Sequence, residues 1–457
     1  MPGLNLSMSI AVQALMAEQG ALNATSNNIA NVNTPGYSRE IPIFSESPVF
    51  QEGTIAYGTG VTLEQFQSVR DELLQLRIYE ETQQQGNSQA QLNSLQQVET
   101  NFADSSQGIG AAMSAFFNSL SQLSTDPTST TARQQVLTAG NTLATAFHQA
   151  EASLDSIQSN LNQSVPQAVS QINQLTQQIA QLNGQVAQLQ GQGQDAGAIQ
   201  DQRDELTRQL SNLIDISVTQ TEHGETLTTA NGVPLVIAGQ SFALQSGTGA
   251  NGVQDVFAQG QDITSEVQGG SLGGTLEVRD QLIAGYLSQL DTLATQFTAA
   301  FNTAHQQGYD LSGNQGGNFF TPLTAGAGAA SNFSVAINDP SLIAASSDGS
   351  QGSNGNVAGL AAIQNQTLPS GQSPMDMYSN LVLQVGNDSA NAQAEVSASG
   401  SSLQQLTDQR AATSGVSIDE ETTNMIQYQR AYEAAARVIT TVDQMTQTLL
   451  AMQTVGG

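Results

Sequence analysis

Residues 417–452, SIDEETTNMIQYQRAYEAAARVITTVDQMTQTLLAM, decide the fold of this chain. Apolar residues recur in them every seven positions, in two series offset by three residues: Ile418, Met425, Tyr432 and Ile439, and then Tyr428, Ala435, Val442 and Leu449. This is the spacing of a coiled-coil seam, and it predicts one long helix with a single apolar stripe. Ser417 and Glu420 have the spacing of a capping box, which predicts that the helix begins there.

The N-terminal residues provide a partner for that stripe. An isolated helix gains little stability in water, so its apolar stripe has to be buried against another element. Residues 4–33 are predicted to form an amphipathic helix, which carries a second heptad series: Met8, Leu15, Leu22 and Ile29. Pro35 disfavours helical angles at the residue before it and ends this helix. The sequence therefore predicts that the two ends of the chain pair with each other.

The composition argues against several classes of function. Of the 457 residues only 11% are charged, the formal net charge is -29, and every basic side chain is an arginine. A chain without a basic surface cannot neutralise phosphates, so we expect no binding to nucleic acid or to an anionic membrane. The absence of cysteine excludes disulfides, thiolate catalysis and cysteine-ligated metals.

Two further patterns bear on where the protein works. The sequence contains no apolar run long enough for a transmembrane helix, which needs about eighteen residues. Its N-terminus lacks the basic start and apolar core of a cleaved secretory signal. If the protein is exported, we expect it to use a different signal that is not cleaved.

The periodicity along the chain predicts a mainly α fold with a small β insertion. Helices are predicted at residues 70–102, 109–123, 127–163, 165–189, 199–213, 276–307, 357–366 and 374–412, with a kink or restart at Pro166. Alternating apolar residues predict strands within 39–67 and 214–275, where Asn231-Gly232 is a hairpin turn. The glycine-rich residues 308–356 are predicted to be a surface loop with one strand at 333–337.

These elements predict a nested, multi-domain rod. Residues 1–36 and 417–457 are expected to form a terminal helical domain, in which the two end helices make a coiled coil. Residues 37–213 and 276–416 form a mainly helical second layer with a short β-hairpin region near 39–67. Residues 214–275 form a small, β-rich outer domain.

The candidate sites for chemistry have simpler structural interpretations. The three histidines, His148, His223 and His305, are isolated, and metal sites need clustered ligands. Asp201, Asp204 and Glu205 surround Arg203 and are interpreted as first-turn helix charges with a local ion pair. Residues 310–320, DLSGNQGGNFF, have the alternating oxygen ligands of a calcium loop but lack its closing glutamate. We therefore predict no catalytic residue, no cofactor and no metal.

Four stretches of the chain resemble a known family. ALNATSNNIANVNTPGYSRE, residues 21–40, and SGVSIDEETTNMIQYQRAYEAAARVITTVDQMTQTLL, residues 414–450, resemble the shared ends of the axial proteins of the bacterial flagellum. Residues 170–218, with SQINQLTQQIAQLNGQVAQLQ and DQRDELTRQLSNLIDISV, are similar to the family of the first hook-associated protein, FlgK. Residues 269–320 are similar to the same family.

The resemblance implies a structural protein of the junction between flagellar hook and filament. Such a protein is exported unfolded through the flagellar type III apparatus and assembles outside the cell as a ring of copies of itself. Its implied partners are the hook protein, a second junction protein of the FlgL type, and an export chaperone of the FlgN type at the C-terminal helix. The implied assembly residues are the two heptad stripes above together with Asn28, Asn31, Asn33, Thr34, Pro35, Gly36 and Tyr37.

Three alternatives remain open at this point. A hook or distal-rod protein has the same ends but is mostly β between them, whereas long helices are predicted here. A secreted adhesin or coiled-coil scaffold also fits the heptads and the composition. An enzyme with a metallopeptidase insertion needs paired histidines, which the sequence lacks.

Overall fold

A computed structural model describes residues 2–52, 55–102, 108–221 and 224–455. His223, interpreted above as structural, lies outside the described residues. The helices are α1 (Pro2–Ala30), α2 (Glu72–Phe102), α3 (Ile109–Thr125), α4 (Thr130–Gly191), α5 (Gly197–Leu213), α6 (Gly270–Glu277), α7 (Ile283–Gln306), α8 (Gly355–Ala362), α9 (Pro374–Ser414) and α10 (Ile418–Val455). The strands are β1 (Glu40–Glu46), β2 (Phe50–Glu52), β3 (Ile55–Tyr57), β4 (Val61–Ser68), β5 (Ser217–Thr221), β6 (Gly224–Thr228), β7 (Pro234–Ile237), β8 (Gln240–Ser241), β9 (Leu244–Thr248), β10 (Gln254–Ala258) and β11 (Gln261–Asp262).

The fold is mainly α with small sheets, which confirms the predicted class. Cα packing divides the chain into two units. The first comprises Met1–Gln83, Gln171–Leu244 and Gly400–Gly457, and the second comprises Gln84–Ser170 and Gln245–Ser399. The nested division into three domains stays a prediction.

In the first unit, α1 packs against α10 and also carries the β1–β4 pair. Gly20 of α1 explains the second contact, because a Cβ there would lie 2.4 Å from the Cδ2 atom of Leu63 in β4. Glycine costs about 1 kcal/mol in a helix relative to alanine. Here it lets the strand approach the helix closely.

A row of apolar residues spaced seven positions apart in the second half of α4 is buried in the first unit. Ile172, Ile179 and Val186 have almost no exposed surface. The Asn183 side chain donates to the carbonyl oxygens of Glu225 at 2.8 Å and Ala238 at 3.1 Å, which ties this helix to the antiparallel β5–β6–β7–β8 sheet. These three residues, spaced seven positions apart, therefore form a buried helix face that packs beside a sheet.

A cluster of phenylalanines forms the core of the second unit. Its members are fully buried and come from three helices and a loop: Phe116, Phe117, Phe147, Phe297, Phe301, Phe319, Phe320 and Phe333. Their rings lie at centroid distances such as 4.8 Å between Phe319 and Phe320 and 5.2 Å between Phe116 and Phe301. Such contacts add to the free energy gained from burial alone.

The prediction that residues 308–356 form a surface loop is wrong for their three phenylalanines. Phe319, Phe320 and Phe333 lie in the core, and Asn302 of α7 holds the loop there. The Asn302 Oδ1 atom accepts from the backbone N–H groups of Phe319 and Phe320, each at 2.9 Å. The predicted strand at 333–337 is reduced to an isolated bridge between Phe320 and Val335.

Helix boundaries differ from the prediction at two places. Helix α4 runs through Pro166 without restarting, because the flanking Val165 and Val169 are buried and hold this segment in place. The helix predicted at 276–307 is α6 and α7 joined by a π-helical turn, Val278–Leu282. This turn contains the fully buried Arg279, whose guanidinium donates to the carboxylate of Asp280 at 2.7 Å.

Candidate assembly site

The helix pair α1–α10 covers the predicted stripes only in part. The most buried apolar residues of α1 are small, since Ala17, Ala21 and Ala24 are almost completely buried. The predicted stripe residues beside them are half-buried, namely Met8, Leu15, Leu22 and Ile29. On α10, Val442 is buried; Met425, Tyr428, Tyr432 and Ile439 are half-buried; Ile418 and Leu449 are exposed. The two ends thus meet as predicted, but apolar surface remains uncovered.

A second face of α10 is exposed to solvent. Val438, Met445 and Met452 lie seven residues apart and are 46%, 54% and 69% exposed. Arg430 and Arg437 lie beside them, also seven apart, and neither guanidinium forms an ion pair or hydrogen bond to any described residue. We call these five residues the outer α10 face. Its heptad spacing is visible in the sequence, where it lies one position before that of the stripe that begins at Ile418.

A polar joint made of Asn28, Tyr37, Arg39 and Glu421 connects the end of α1 to the start of α10. The buried Asn28 amide donates to Glu421 Oε2 at 3.1 Å, and its Oδ1 atom accepts from the Tyr37 hydroxyl at 2.9 Å. Arg39 Nε donates to Glu421 Oε1 at 2.7 Å. Burial, and then the nearby carboxylates of Glu40 and Asp201, raise the pKa of Tyr37, so its hydroxyl stays a donor.

The capping box at the start of α10 is present only in half. Ser417 Oγ accepts the backbone N–H of Glu420 at 3.5 Å. The Glu420 carboxylate does not complete the box, because it accepts from Arg39 at 2.9 Å. This exposed carboxylate contributes little stability, and the buried Glu421 makes the firmer contact with Arg39.

The loop of residues 31–36 closes on itself and leaves its tip exposed. Thr34 Oγ1 donates to Asn31 Oδ1 at 3.1 Å, and Gly36 adopts a positive φ of 82° that favours glycine. Arg410 of α9 fixes the loop by donating to the Gly36 carbonyl oxygen at 2.6 Å. Asn33 and Pro35 are exposed at the tip.

A second polar network links this loop to α5 and β6. Ser38 donates through both its backbone N–H and its hydroxyl to Asp201 at 2.8 Å. Arg70 forms ion pairs with both Asp201 and Asp204, at 2.6 Å for the latter. The interpretation of these carboxylates as local helix charges is therefore incomplete. Asp204 does form the predicted local ion pair with Arg203, but both carboxylates also bind Arg70, more than 120 positions away. Their partners could not be read from local spacing.

The network ends at a buried carboxylate. Arg203, interpreted above as part of a local pair, donates to Asp204 at 3.1 Å and lies 2.8 Å from Glu225 Oε1. Burial raises the pKa of Glu225 to about 7, although the charge of Arg203 opposes the shift. Glu205 makes the predicted kind of local pair, with Arg208 at 2.7 Å.

The two described histidines have structural roles. His148 Nε2 lies 2.8 Å from the carbonyl oxygen of Phe333. His305 is fully buried, with Nδ1 2.8 Å from the Gly317 carbonyl oxygen, while Nε2 accepts the Ala344 N–H at 2.9 Å. These bonds define one neutral tautomer, and burial lowers the pKa of His305.

The loop that resembled a calcium site is organised by backbone hydrogen bonds. Asp310 Oδ1 accepts the N–H groups of Ser312 and Asn314, each at 2.8 Å. Among the described residues, no three acidic, histidine or cysteine side chains are grouped to hold a metal ion. The described helices include none that is long and apolar enough to span a bilayer.

Comparisons with known proteins match the chain from end to end. Residues 95–320 match the model of the flagellar hook-associated protein FlgK helical domain, 408–452 that of the flagellar basal body rod FlgEFG protein C-terminal region, and 8–37 that of the flagella basal body rod proteins. Flagellar hook-associated protein 1 of Bacillus subtilis is 31% identical over 99% of both chains. The Escherichia coli protein of that name is 26% identical over 96% of this chain and 98% of its own.

A solved structure has a similar fold. The flagellar hook junction protein FlgK from Burkholderia pseudomallei superposes with a TM-score of 0.65 over 74% of this chain and all of that chain. Its sequence identity is 17%, so this likeness concerns the fold.

Proposed function

Because this chain belongs to the family of flagellar hook-associated protein 1, FlgK, we propose that it forms the junction between hook and filament by assembling into a ring of identical copies. Membership of the family makes it a structural component of the flagellum. The junction role and the ring are the parts that go beyond it. The observation that carries them is the outer α10 face, which leaves three large apolar side chains open to water.

The physical argument concerns the cost of that exposure. Burying a methionine or valine side chain contributes roughly 1.5–3 kcal/mol. A helix pair that leaves Val438, Met445 and Met452 in water therefore has free energy available for contacts with further copies. Together with the half-buried stripes of α1 and α10, this face would be covered in the ring.

The partners follow from the same surface. We propose the hook protein and a second junction protein of the FlgL type as neighbours in the flagellum. Before assembly the open face of α10 needs protection from water, and a FlgN-type export chaperone would provide it. Export without a cleaved signal would then place the subunit outside the cell. The division into a terminal helical domain, a helical second layer and a β-rich outer domain within 214–275 belongs to the same proposal.

Deletion and complementation test the function. In a strain that lacks this gene, we expect hooks without filaments and flagellin released into the medium, and the intact gene should restore filaments. The double variant Val438→Asp, Met445→Asp should fold but fail to restore them. Gln429→Asp adds an acid at an exposed position on another side of α10 and should restore filaments. Normal filaments in the deletion strain would refute the junction role.

That experiment also separates the alternatives. The matches at both ends are to rod-protein models, so a rod or hook protein is the nearest other function. Loss of a rod or hook protein would remove the hook itself, whereas loss of a junction protein leaves it in place. A secreted scaffold or adhesin outside the flagellum would leave both hook and filament unchanged.

A further inference from the structure

The exposed aromatic side chains of this chain are concentrated in one short segment. The phenylalanines that form the core of the second unit are buried. By contrast, Phe44, Phe50 and Tyr57 are exposed, and Val49 beside them is 64% exposed. Among the described residues only Tyr309 adds another exposed aromatic side chain. Aromatic side chains carry large apolar areas, so a group of them in water marks a surface for contact.

The segment is a small antiparallel hairpin, β2–β3. Phe50 and Tyr57 are directly opposite each other in its register, so their rings share one face. An isolated two-stranded hairpin is at best marginally stable in water and needs a surface to pack on. Within its own copy the open ring faces lack such a cover, since Phe50 is 48% and Tyr57 38% exposed.

The charge of this segment is complementary to the outer α10 face. Residues 41–69 contain three glutamates, Glu46, Glu52 and Glu64, and no basic residue. The outer α10 face combines two arginines that pair with no described residue and the apolar side chains of Val438, Met445 and Met452. In a chain of net charge -29, such a cationic and apolar face is unusual, and it matches an acidic and aromatic hairpin.

The β2–β3 hairpin and the outer α10 face also lie at the same axial position along the α1–α10 helix pair. The hydrogen bond between Asn28 and Glu421 fixes the end of α1 beside the start of α10, so the helices run antiparallel. The base of the hairpin contacts α1 at Ile10 and Gln13, through Gly60 and a 3.1 Å hydrogen bond from Ser47 Oγ. The rise along α1 from Asn28 back to Ile10 is about 27 Å, and the rise along α10 from Glu421 to Ile439 is the same. Ile10 and Ile439 therefore lie side by side along the helix pair.

We propose that the β2–β3 hairpin of one copy packs on the outer α10 face of a second copy. Phe50 and Tyr57 lie on Val438 and Met445, and the glutamates of residues 41–69 face Arg430 and Arg437. Because the two surfaces share one height, copies placed side by side around an axis bring them together without an axial shift. This contact rests on the proposed assembly into a ring and specifies which surfaces meet in it.

Cysteine cross-linking tests the contact cleanly, because the chain has no cysteine of its own. Two single variants, Phe50→Cys and Val438→Cys, are given different tags and co-expressed in the deletion strain. Junctions are isolated from filamented cells and treated with a mild oxidant. A heterodimer carrying both tags can only join two copies. The control replaces Val438→Cys with Leu73→Cys, an exposed position on α2.

We expect the heterodimer with Val438→Cys and not with Leu73→Cys. Adding Arg430→Glu and Arg437→Glu should lower its yield about threefold, the effect of losing two surface ion pairs. Tyr57→Cys replaces Phe50→Cys if the latter fails to assemble. Filamented cells that give no heterodimer, or equal amounts with the control, would overturn the contact while leaving the ring intact. Failure of the unaltered chain to restore filaments would instead refute the proposed function.

Discussion

The phenylalanine core of the second unit and the α1–α10 pair of the first are both built from apolar helix faces, but they are buried to different degrees. Every ring of the core is within 2% of full burial. On α10 the heptad residues are mostly half-buried and one further face is open. The core is complete in a single chain, whereas burial of the helix pair would be completed by the proposed contacts with further copies.

The largest expected difference is in the loss of unfolding free energy when one side chain is truncated in the phenylalanine core and one on α10. Phe320→Ala leaves a cavity in the core and should cost about 3–5 kcal/mol of unfolding free energy. Met445→Ala on the outer α10 face should change it by less than about 0.5 kcal/mol. Urea unfolding followed by circular dichroism measures both, since the chain has no tryptophan. Similar losses at the two positions would mean that α10 is already covered in the monomer.

We expect the polar joint to stabilise the pairing of α1 with α10 and to leave the stability of the phenylalanine core unchanged. Asn28→Ala removes the partner of the Tyr37 hydroxyl and of Glu421, and leaving buried groups unpaired costs about 1–3 kcal/mol. We expect limited proteolysis to remove residues 1–36 and 417–457 faster while the second unit stays intact. Asn33→Ala, at the exposed loop tip, is the matched control and should behave like the unaltered chain. Equal cleavage of both variants would contradict the role of the joint.

The first unit should become less stable as the pH rises. The folded-state pKa of Glu225 is about 7, above its ordinary value. Its stabilising contribution is therefore complete below pH 4.5 and is lost as the pH rises to about 7, with an effect on the order of 2 kcal/mol. Hydrogen exchange of β5 and β6 between pH 5 and 8 measures it. Glu225→Gln should remove most of this dependence, and an unchanged dependence would contradict the assignment.

The second unit should respond to pH in the opposite direction. Burial lowers the pKa of His305 in the folded state. The unfolded chain therefore takes up a proton first, and stability falls as the pH drops below about 6.5. Protonation also breaks the bond from the Ala344 N–H. The protection factors of the α7 amides, which correct for the slower intrinsic exchange at low pH, should fall below this pH, and His305→Gln should weaken the change. No change between pH 7 and 5 would argue against a neutral, buried imidazole.

The smallest expected change in unfolding free energy comes from replacing two helical glycines by alanine. Gly184→Ala in α4 meets no atom within 4 Å and should stabilise the chain by about 1 kcal/mol through helix propensity. Gly20→Ala gains the same propensity, but its Cβ meets Leu63 at 2.4 Å, so we expect it to be neutral or destabilising. Thermal unfolding of the pair measures the difference. Equal stabilisation would mean that β4 can move away from α1 at no cost.

The parts of the fold that were predictable have regular periods. Heptads identified α1, α10 and their pairing, and alternation placed β5 to β11 within residues 214–275. Residues 308–356 were misjudged because their buried phenylalanines follow no period and are separated by glycines. The burial of Ala17, Ala21 and Ala24 was not predicted for a different reason, since alanine gives a weak apolar signal.

The polar contacts of the site were not predictable from local sequence. Arg70 and Asp201, or Arg39 and Glu421, are joined only by the folded path of the chain. The one available signal was the composition. The chain has ten arginines and no lysine, which favours structural roles for several arginines. Their partners, however, depend on the tertiary fold.

Hydrogen–deuterium exchange on α10, compared between the purified monomer and isolated hook–filament junctions, tests the central claim most directly. We predict that amides of residues 430–452 exchange fast in the monomer and become strongly protected in the junction, while the amides of α7 in the phenylalanine core stay slow in both. Equal protection of α10 in the two samples would contradict the view that this helix pair is completed by assembly.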